Sequence, residues 1–383
     1  MKAIILAAGE GQRLSPLTNV RPKPMLPVAN EPILARVIDA VAEAGIEEVL
    51  LVVGYKSDRI QQYVGDGDDW DLDVEYVHQE KQLGTGDAVL EAEPHVDEDF
   101  VVLNGDRVTD SQILEDVMDR RATTEETVMA VTRADEQSLY GVVELDGDRV
   151  SRIVEKPAPH EIDSDLINAG VYAFGPEIFP AIRETSTHGE LALTDVLSRL
   201  LDEESIQAVP DRQAWFDVTR PWDLLTVNAA LLESESAPTG ESIDPTASVS
   251  SSVKVGSNVR LYPNSTVLRG TAIGDNVSIG PNATVSNSLL MADVTVEAGA
   301  VVRDAVIAEN VTIGPNTTIV GGQTDVLLQD EVHRNVTLGG VIGDNAKIGG
   351  AAMVFPGSFV GDGATVEHGT RVDGRIEPNG RVQ

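Results

Sequence analysis

The sequence has no cysteine among its 383 residues, which excludes disulfides, thiolate metal sites and cysteine nucleophiles together. Lysine is nearly as scarce, supplying seven of the 28 basic residues. No apolar run approaches the roughly 18 to 20 residues that cross a bilayer, so membrane insertion is not expected. Met1, Lys2 and Ala3 run straight into a strand-like segment that ends at Gly9 without a cleavage-site pattern, and a cytoplasmic protein is expected. Acid is what the chain has in abundance: 63 Asp and Glu against 28 Lys and Arg, for a net charge of −35. A field of that sign repels nucleic acid and anionic membranes, so neither is expected as a partner. Residues 1–230 hold 19 basic and 46 acidic side chains and residues 231–383 hold 9 and 17, so the charge covers folded surface and is not gathered in a tail.

With 42% apolar residues the chain can bury substantial cores, and its length suits about two to three domains. Over residues 1–230 short apolar strands alternate with amphipathic helices. Lys2 to Ala8 and Glu48 to Val53 flank Ile33, Leu34, Val37, Ile38 and Val41, which share one helical face between Pro32 and Gly45. This is a βαβ unit, and further strands at Phe100–Leu103, Thr127–Thr132, Gly141–Leu145 and Ala169–Phe174 predict a Rossmann-like α/β domain with a mostly parallel sheet. Residues 231–242 read as a linker after a helix opened by Pro221.

From residue 243 to 383 the period changes. Ile243, Val249, Val255, Leu261, Val267, Ile273, Ile279 and Val285 recur every six residues. Leu290, Val296, Val302, Ile307, Ile313 and Ile319 continue with occasional five-residue steps, and Ile342, Ile348, Val354, Val360, Val366 and Val372 resume the repeat. No helix keeps such a stripe on one face; a left-handed parallel β-helix with Gly, Asn and Pro corners does. Residues 320–341 interrupt the period and are expected to form a loop.

The first strand delivers Leu6-Ala-Ala-Gly-Glu-Gly-Gln-Arg-Leu14. Small residues and two glycines there let backbone N–H groups approach phosphate oxygens, although a dinucleotide turn or a bare tight turn would read alike. Arg13 and the proline-stiffened Arg21-Pro-Lys-Pro-Met-Leu-Pro27 follow, and a dinucleotide fold has no use for such a segment. Gln79, in His78-Gln-Glu-Lys-Gln-Leu-Gly-Thr-Gly86, offers the paired donor and acceptor that suit a pyrimidine edge. Asp106, in Asn104-Gly-Asp106, follows a buried strand at the end where open α/β sheets bind ligands.

Residues 6–28 resemble the signature of the sugar-1-phosphate nucleotidylyltransferases, LAAGxGxRLxPLTxxxPKPxLPV. The resemblance extends through Tyr140-Gly141, Val154-Glu-Lys-Pro157, Asn168-Ala-Gly-Val-Tyr172, Gly189-Glu-Leu-Ala-Leu-Thr194 and Trp215-Phe-Asp217. It implies that Leu6, Ala8, Gly9, Gly11, Gln79, Gly84 and Thr85 bind an NTP, UTP favoured and dTTP possible. It further implies that Arg13, Lys23 and Asp106 are catalytic, that Asp106 and Asp217 hold one Mg²⁺, and that Gly141, Glu155, Lys156, Asn168, Glu190 and Thr194 bind a sugar 1-phosphate. Asp87 stands where the uridylyltransferase subgroup often has His, and Thr219 replaces a usual Gly.

The whole chain is similar to bifunctional proteins that join this activity to acetylation of glucosamine 1-phosphate and typically trimerise, so a trimer or a multiple of it is implied. Ala298 and Val301 stand where those proteins carry a catalytic His and its neighbouring Tyr, which leaves His333 and His368 as possible bases. A nucleotidylyltransferase with a structural repeat tail is therefore the first reading. The bifunctional enzyme and an inactive regulatory relative are the alternatives.

A charge of −35 exceeds the magnitude of about 2 to 8 that suits a small domain, and excess acid with scarce lysine fits a halophilic host. In molar salt the Debye length falls to about 3 Å and self-repulsion is screened. Adding KCl to molar concentration should therefore raise the melting temperature; equal melting temperatures in dilute buffer and molar KCl would exclude this reading.

Overall fold

The structure is a computed structural model that describes residues 1–134, 136–158, 161–185, 189–211, 215–233 and 242–383. Most of the expected linker, residues 234–241, lies outside the described residues. Contacts divide the chain into two units, one of Met1–Glu10 with Ile33–Asp217 and one of Gly11–Pro32 with Val218–Gln383.

The first unit is built on a nine-stranded sheet in the order Asp73–His78, Glu48–Val53, Lys2–Ala7, Phe100–Asn104, Leu166–Phe174, Thr127–Arg133, Ile206–Pro210, Arg149–Glu155, Gly141–Asp146. Seven of these strands point the same way; Leu166–Phe174 and Arg149–Glu155 run against the rest. Parallel strands are covered on both faces, which is why Ile4-Ile5, Leu50-Leu51-Val52 and Phe100-Val-Val-Leu103 are continuously buried and do not alternate. Helix α1 (Ile33–Glu43) buries Ile33, Leu34, Val37, Ile38 and Val41, the face read from the sequence. Phe100 stacks on Phe179 at 5.5 Å between ring centroids, joining the sheet to helix Ile178–Glu184.

In the second unit, three seven-stranded parallel sheets form the faces of the left-handed β-helix. All 20 positions of the aliphatic stripe meet in its core; Ile243, Val249 and Val255 are only partly buried at its first coil. Most coils return after 17 or 18 residues, so that Ile273 pairs with Leu290 and Leu261 with Ile279; the last returns after 16, as in Val360 with Ile376, and the one that carries an insertion after 35, as in Ile307 with Ile342. The corners need left-handed backbone: Asn258, Asn276, Asp293, Asn310 and Asn345 all have φ between 57° and 61°. Asparagine and aspartate tolerate this conformation, and their side chains stack into a ladder, Asn276 Nδ2 donating to Asp293 Oδ1 at 3.1 Å and Asn310 Nδ2 to Asn345 Oδ1 at 2.7 Å.

Residues 320–341 are not the expected loop. Gln323–Leu328 and Glu331–Thr337 pair as an antiparallel hairpin. Its two-residue turn, Gln329-Asp330, has φ of 48° and 67°, the paired positive angles that match strand twist. Val326 and Leu328 are buried on one side of the hairpin while Leu327 and Val332 are 64% and 60% exposed, a short alternation that the sixfold stripe obscured.

The segment Gly11–Pro32 packs within this second unit. The Arg21 side chain is 1% exposed; its guanidinium pairs with Asp344 and with Glu309 at 3.1 Å, and donates to the Leu17 carbonyl at 3.3 Å. Asn228 of α7 (Pro221–Leu232) accepts from the Ala29 N–H and donates to the Gly270 carbonyl, both at 2.9 Å.

Ile313 is fully buried in the middle coils. Ile313→Ala should cost about 2 to 5 kcal/mol through lost transfer energy and the cavity left behind, read as a lower denaturation midpoint; a midpoint shift equivalent to less than ~1 kcal/mol would mean the coils collapse around the gap.

Candidate active site

The first strand and its neighbours set one edge of the first unit. Lys2–Ala7, Glu48–Val53, Asp73–His78 and Phe100–Asn104 end together, so that Ala8-Gly9, Gly54, Gln79 and Gly105-Asp106 leave the sheet at its carboxyl edge. The crowding there is close. A Cβ on Gly54 would stand 3.1 Å from Ala8 Cβ and 3.2 Å from the Gln79 carbonyl, and one on Gly105 would stand 3.0 Å from the Leu6 carbonyl. Leu6 and Ala8 are buried, whereas nothing lies within 4 Å of a Cβ built on Gly9, which leaves that backbone open to approach. Gln82 Nε2 donates to the Ala8 carbonyl at 2.9 Å and fixes the turn.

Asp106 and Asp217 are brought together. The two-residue strand Phe216–Asp217 pairs antiparallel with Arg107–Val108, placing Asp217 opposite Arg107, the chain neighbour of Asp106. Arg107, which the sequence reading did not single out, organises this corner. Its Nε lies 3.8 Å from Asp217 Oδ2, its Nη1 donates to the Asn168 carbonyl at 3.2 Å, and its guanidinium lies over the rings of Tyr140 and Trp215 at 5.6 and 5.4 Å. Burial works against the Arg107 charge, but Asp217 and then Asp106 outweigh it and its pKa is raised. Among the described residues no three His, Asp or Glu side chains gather as a metal cluster. Two carboxylates carried on paired strand ends, both close enough to act on the Arg107 charge, are a donor set that suits Mg²⁺ nonetheless, because that ion takes few protein oxygens and fills its octahedron with water and substrate phosphate.

Five of the six residues expected at the sugar converge. Glu155 is opposite Gly141 in strand register, and Ile167, beside Asn168, is opposite Val142. A Cβ on Gly141 would stand 2.8 Å from Thr194 Cγ2, 3.1 Å from Glu155 Oε2 and 3.7 Å from Asn168 Cβ, so glycine is required by close approach. The Thr194 hydroxyl donates to Glu155 Oε2 at 2.8 Å, and Lys156 Nζ lies 3.4 Å from Glu155 Oε1. Lys156 takes a left-handed φ of 44°, turning its side chain at the strand end while its N–H donates to the Tyr140 carbonyl. Asn168 Nδ2 donates to the Tyr172 hydroxyl at 2.5 Å, and Asn168 Oδ1 accepts from the Gly170 N–H at 3.0 Å. Glu190 is exposed on the approach to α6 (Leu193–Leu200) and takes part in none of these bonds. The arrangement gathers a carboxylate, an ammonium, an amide and a hydroxyl from two strands and a helix around Gly141, the mixture that hydroxyls and a phosphate ask for.

At the expected base loop, Gln79 is 5% exposed, and its Nε2 donates to the Gly84 carbonyl at 3.1 Å and to Asp87 Oδ2 at 2.8 Å. Gly84 has φ of 106° and a Cβ there would stand 2.4 Å from the Leu191 carbonyl, so no other residue fits. Thr85 opens α3 (Thr85–Glu91), and its hydroxyl accepts from the Leu193 N–H at 2.9 Å, tying the base loop to the segment that carries Thr194.

Gly11, Arg13 and Lys23 lie in the second unit. Gly11 has φ of 68° and a Cβ there would stand 2.8 Å from Lys23 Cβ. Arg13 is exposed on the turn Gln12–Leu14, and Lys23 opens the turn Lys23–Met25 between Pro22 and Pro24. The Thr219 N–H and hydroxyl both donate to Asp223 Oδ2 at 2.9 Å, so the threonine that replaces the family glycine is tied to the first turn of α7, whose N-cap is Arg220. His333, offered above as a base, packs on Trp222 at 5.3 Å, and Nδ1 of His368, the other candidate, accepts from the Gly350 N–H at 2.8 Å.

Burial pushes the Tyr172 phenol up to about 12, while the bond from Asn168 and the Arg107 charge pull it down. A phenol raised above its unfolded value of about 10 loses its contribution to stability as pH rises from that value through the folded one. The alkaline absorbance difference between wild type and Tyr172→Phe should appear near pH 12 and not near pH 10; ionisation at the ordinary value would show the ring to be solvated.

Comparison with known proteins agrees with this geometry. The nucleotidyl transferase family matches residues 2–234, and a domain described as the GMPPB C-terminal domain matches residues 239–339. A bifunctional protein GlmU of Methanococcus maripaludis is 37% identical over 266 residues, 69% of this chain and 62% of that protein. A glucose-1-phosphate thymidylyltransferase of Streptomyces antibioticus is 36% identical over 267 residues, 68% of this chain and 74% of that protein. The chain thus matches about 60% of the length of the GlmU relatives. A solved UDP-glucose pyrophosphorylase in complex with UDP-glucose shares the fold, with a TM-score of 0.55 over 60% of this chain and 97% of that one at 23% identity. With a family match over more than half its length, the chain belongs to the nucleotidyl transferase family.

Proposed function

We propose that this protein transfers a nucleotidyl group from UTP, or alternatively dTTP, to N-acetylglucosamine 1-phosphate or glucose 1-phosphate, releasing pyrophosphate. The observation that carries the reading is the meeting of Glu155, Asn168 and Thr194 around Gly141. Glu155 accepts from sugar hydroxyls, Lys156 pairs with the sugar phosphate and Asn168 binds the sugar's amide or hydroxyl. The loop of Gly84 and Thr85 reads the base, and Gln79, whose amide N–H groups are committed to Gly84 and Asp87, holds that loop in place. Arg13 and Lys23 contact the nucleotide phosphates, with Lys23 countering charge at the α-phosphorus under attack. Asp106 and Asp217 would hold the Mg²⁺, whose chemistry is to neutralise phosphate charge.

No covalent intermediate is needed. A sugar-phosphate oxygen attacks the α-phosphorus in line and pyrophosphate leaves, so catalysis is positioning plus charge placed against developing charge. Acetyl transfer is not part of the proposal, because Ala298 and Val301 stand where the expected base and its neighbour would be and Nδ1 of His368 is taken by the Gly350 N–H, and a base helps only within hydrogen-bond reach of its proton.

Turnover with a panel of nucleoside triphosphates and sugar 1-phosphates tests the proposal, and pyrophosphate release with none of them would end it. Lys23→Ala should lower the rate on the order of 10² or more, as loss of a transition-state charge stabiliser does, with an unchanged melting temperature; near-normal turnover would remove Lys23 from the mechanism. Thiol release from acetyl-CoA with glucosamine 1-phosphate should stay at background, and robust turnover abolished by His333→Ala would restore the bifunctional reading.

A further inference from the structure

Arg21 lies inside the signature expected to serve the nucleotide, yet its guanidinium is committed elsewhere. It is 1% exposed, pairs with Asp344 and Glu309, and contacts Met291 Sδ at 3.3 Å. Asp344 sits at a β-helix corner 323 positions away, and its carboxylate Oδ1 also accepts from the Glu309 N–H at 3.2 Å. The next coil adds a second hold: the Asp344 N–H donates to Asp362 Oδ1 at 2.9 Å, and Asp362 Oδ2 accepts from Asn19 Nδ2 at 2.7 Å. Beyond Lys23 the same segment is held again, Asn30 Nδ2 donating to the Ile273 carbonyl at 2.7 Å.

We propose that Asp344 is a positioning residue for nucleotidyl transfer: through Arg21 the β-helix fixes the backbone that carries Lys23. The inference rests on the function proposed above. Pro22 and Pro24 flank Lys23 and restrict φ on either side, so the Lys23 Cα follows Arg21 with little slack. Gly11 completes the constraint, since its Cα comes so near Lys23 that no Cβ fits. A buried ion pair contributes little net stability compared with an apolar pair of the same shape, whereas its directionality fixes position. Position is what a charge aimed at a transferring phosphoryl group requires, and a misplacement of about 1 Å can cost on the order of 10² in rate. The repeat domain is on this account part of the nucleotide-handling apparatus, acting through the Arg21 pair.

The test compares wild type with Asp344→Asn, which keeps shape and removes charge, and with the milder Asn19→Ala. Asp293→Asn, at another corner of the ladder, is the control. Amide hydrogen exchange over residues 11–32 should accelerate in Asp344→Asn and Asn19→Ala while the β-helix core stays protected. In the same variants kcat/KM for the nucleoside triphosphate should fall by about tenfold or more, with the KM for the sugar 1-phosphate unchanged. Unchanged exchange in both variants overturns the inference. So does faster exchange in an enzyme whose nucleotide kinetics are unaltered, which would make the pair merely structural. A wild-type protein that transfers no nucleotide from any triphosphate removes the proposed function instead, and the exchange comparison then decides by itself whether Asp344 holds the segment.

Discussion

Parallel pairing of the first strand with both of its neighbours is the constraint on which the first unit depends. Lys2–Ala7 is in register with Glu48–Val53 on one side and Phe100–Asn104 on the other, and parallel strands deliver their carboxyl ends to one edge. The Ala8-Gly9 turn and Asp106 are therefore neighbours although 98 positions separate Ala8 from Asp106. The Gly105 N–H donating to the Leu6 carbonyl at 2.9 Å keeps that ladder going one residue past the strand. A register slip would carry the carboxylate away from the turn and swap the Ile4 and Val102 side chains onto the opposite, differently packed face, so the apolar core and the functional edge are specified by the same pairing.

The second unit obeys a different rule. Its coils are stabilised by stacking identical short faces, and the geometry is enforced where the chain turns, by asparagines and glycines that accept positive φ. Such a stack has many equivalent corners and few special ones. Asp344 is special because its carboxyl is buried, which pushes its pKa up, while Arg21 draws it back toward the ionised form. An acid with this environment is costly to keep in a purely structural coil, and its pairing with a signature arginine is the asymmetry that distinguishes this corner from the other corners of the ladder.

Much of this was legible in the sequence, and the reasons differ from case to case. The stripe of 20 aliphatic positions was readable because a coil buries one side chain per face at a fixed step. The strands at Phe100–Asn104 and Leu166–Phe174 were readable as apolar runs. Asp73–His78 and Arg149–Glu155 were not, because each is buried at only a few positions and shows the solvent too many polar side chains to stand out. The sugar-side residues were named from short motifs, and their meeting at Gly141 follows from the register of three strands and a helix. Arg107 escaped because a single arginine after Asn-Gly-Asp carries no periodicity; only the rings of Tyr140 and Trp215, folded in from distant segments, show what it does. Arg21 was read as part of a basic segment, and nothing local could reveal that its counter-charge stands 323 residues on.

The hairpin at Gln323–Thr337 shows how the repeat domain can grow. Ile307 is followed on its face by Ile342, a step of 35 residues where the preceding step, from Leu290, is 17. The extra 18 residues equal one full turn of the solenoid, yet the faces on either side stay in register, with Ile313 opposite Ile348 and Ile319 opposite Val354. A stack whose layers touch only their neighbours can extrude an insertion at a corner without disturbing the layers above and below. In evolutionary terms the corner is a docking bay for new sequence, where a module can be gained, exchanged or lost while the rest of the solenoid is inherited intact.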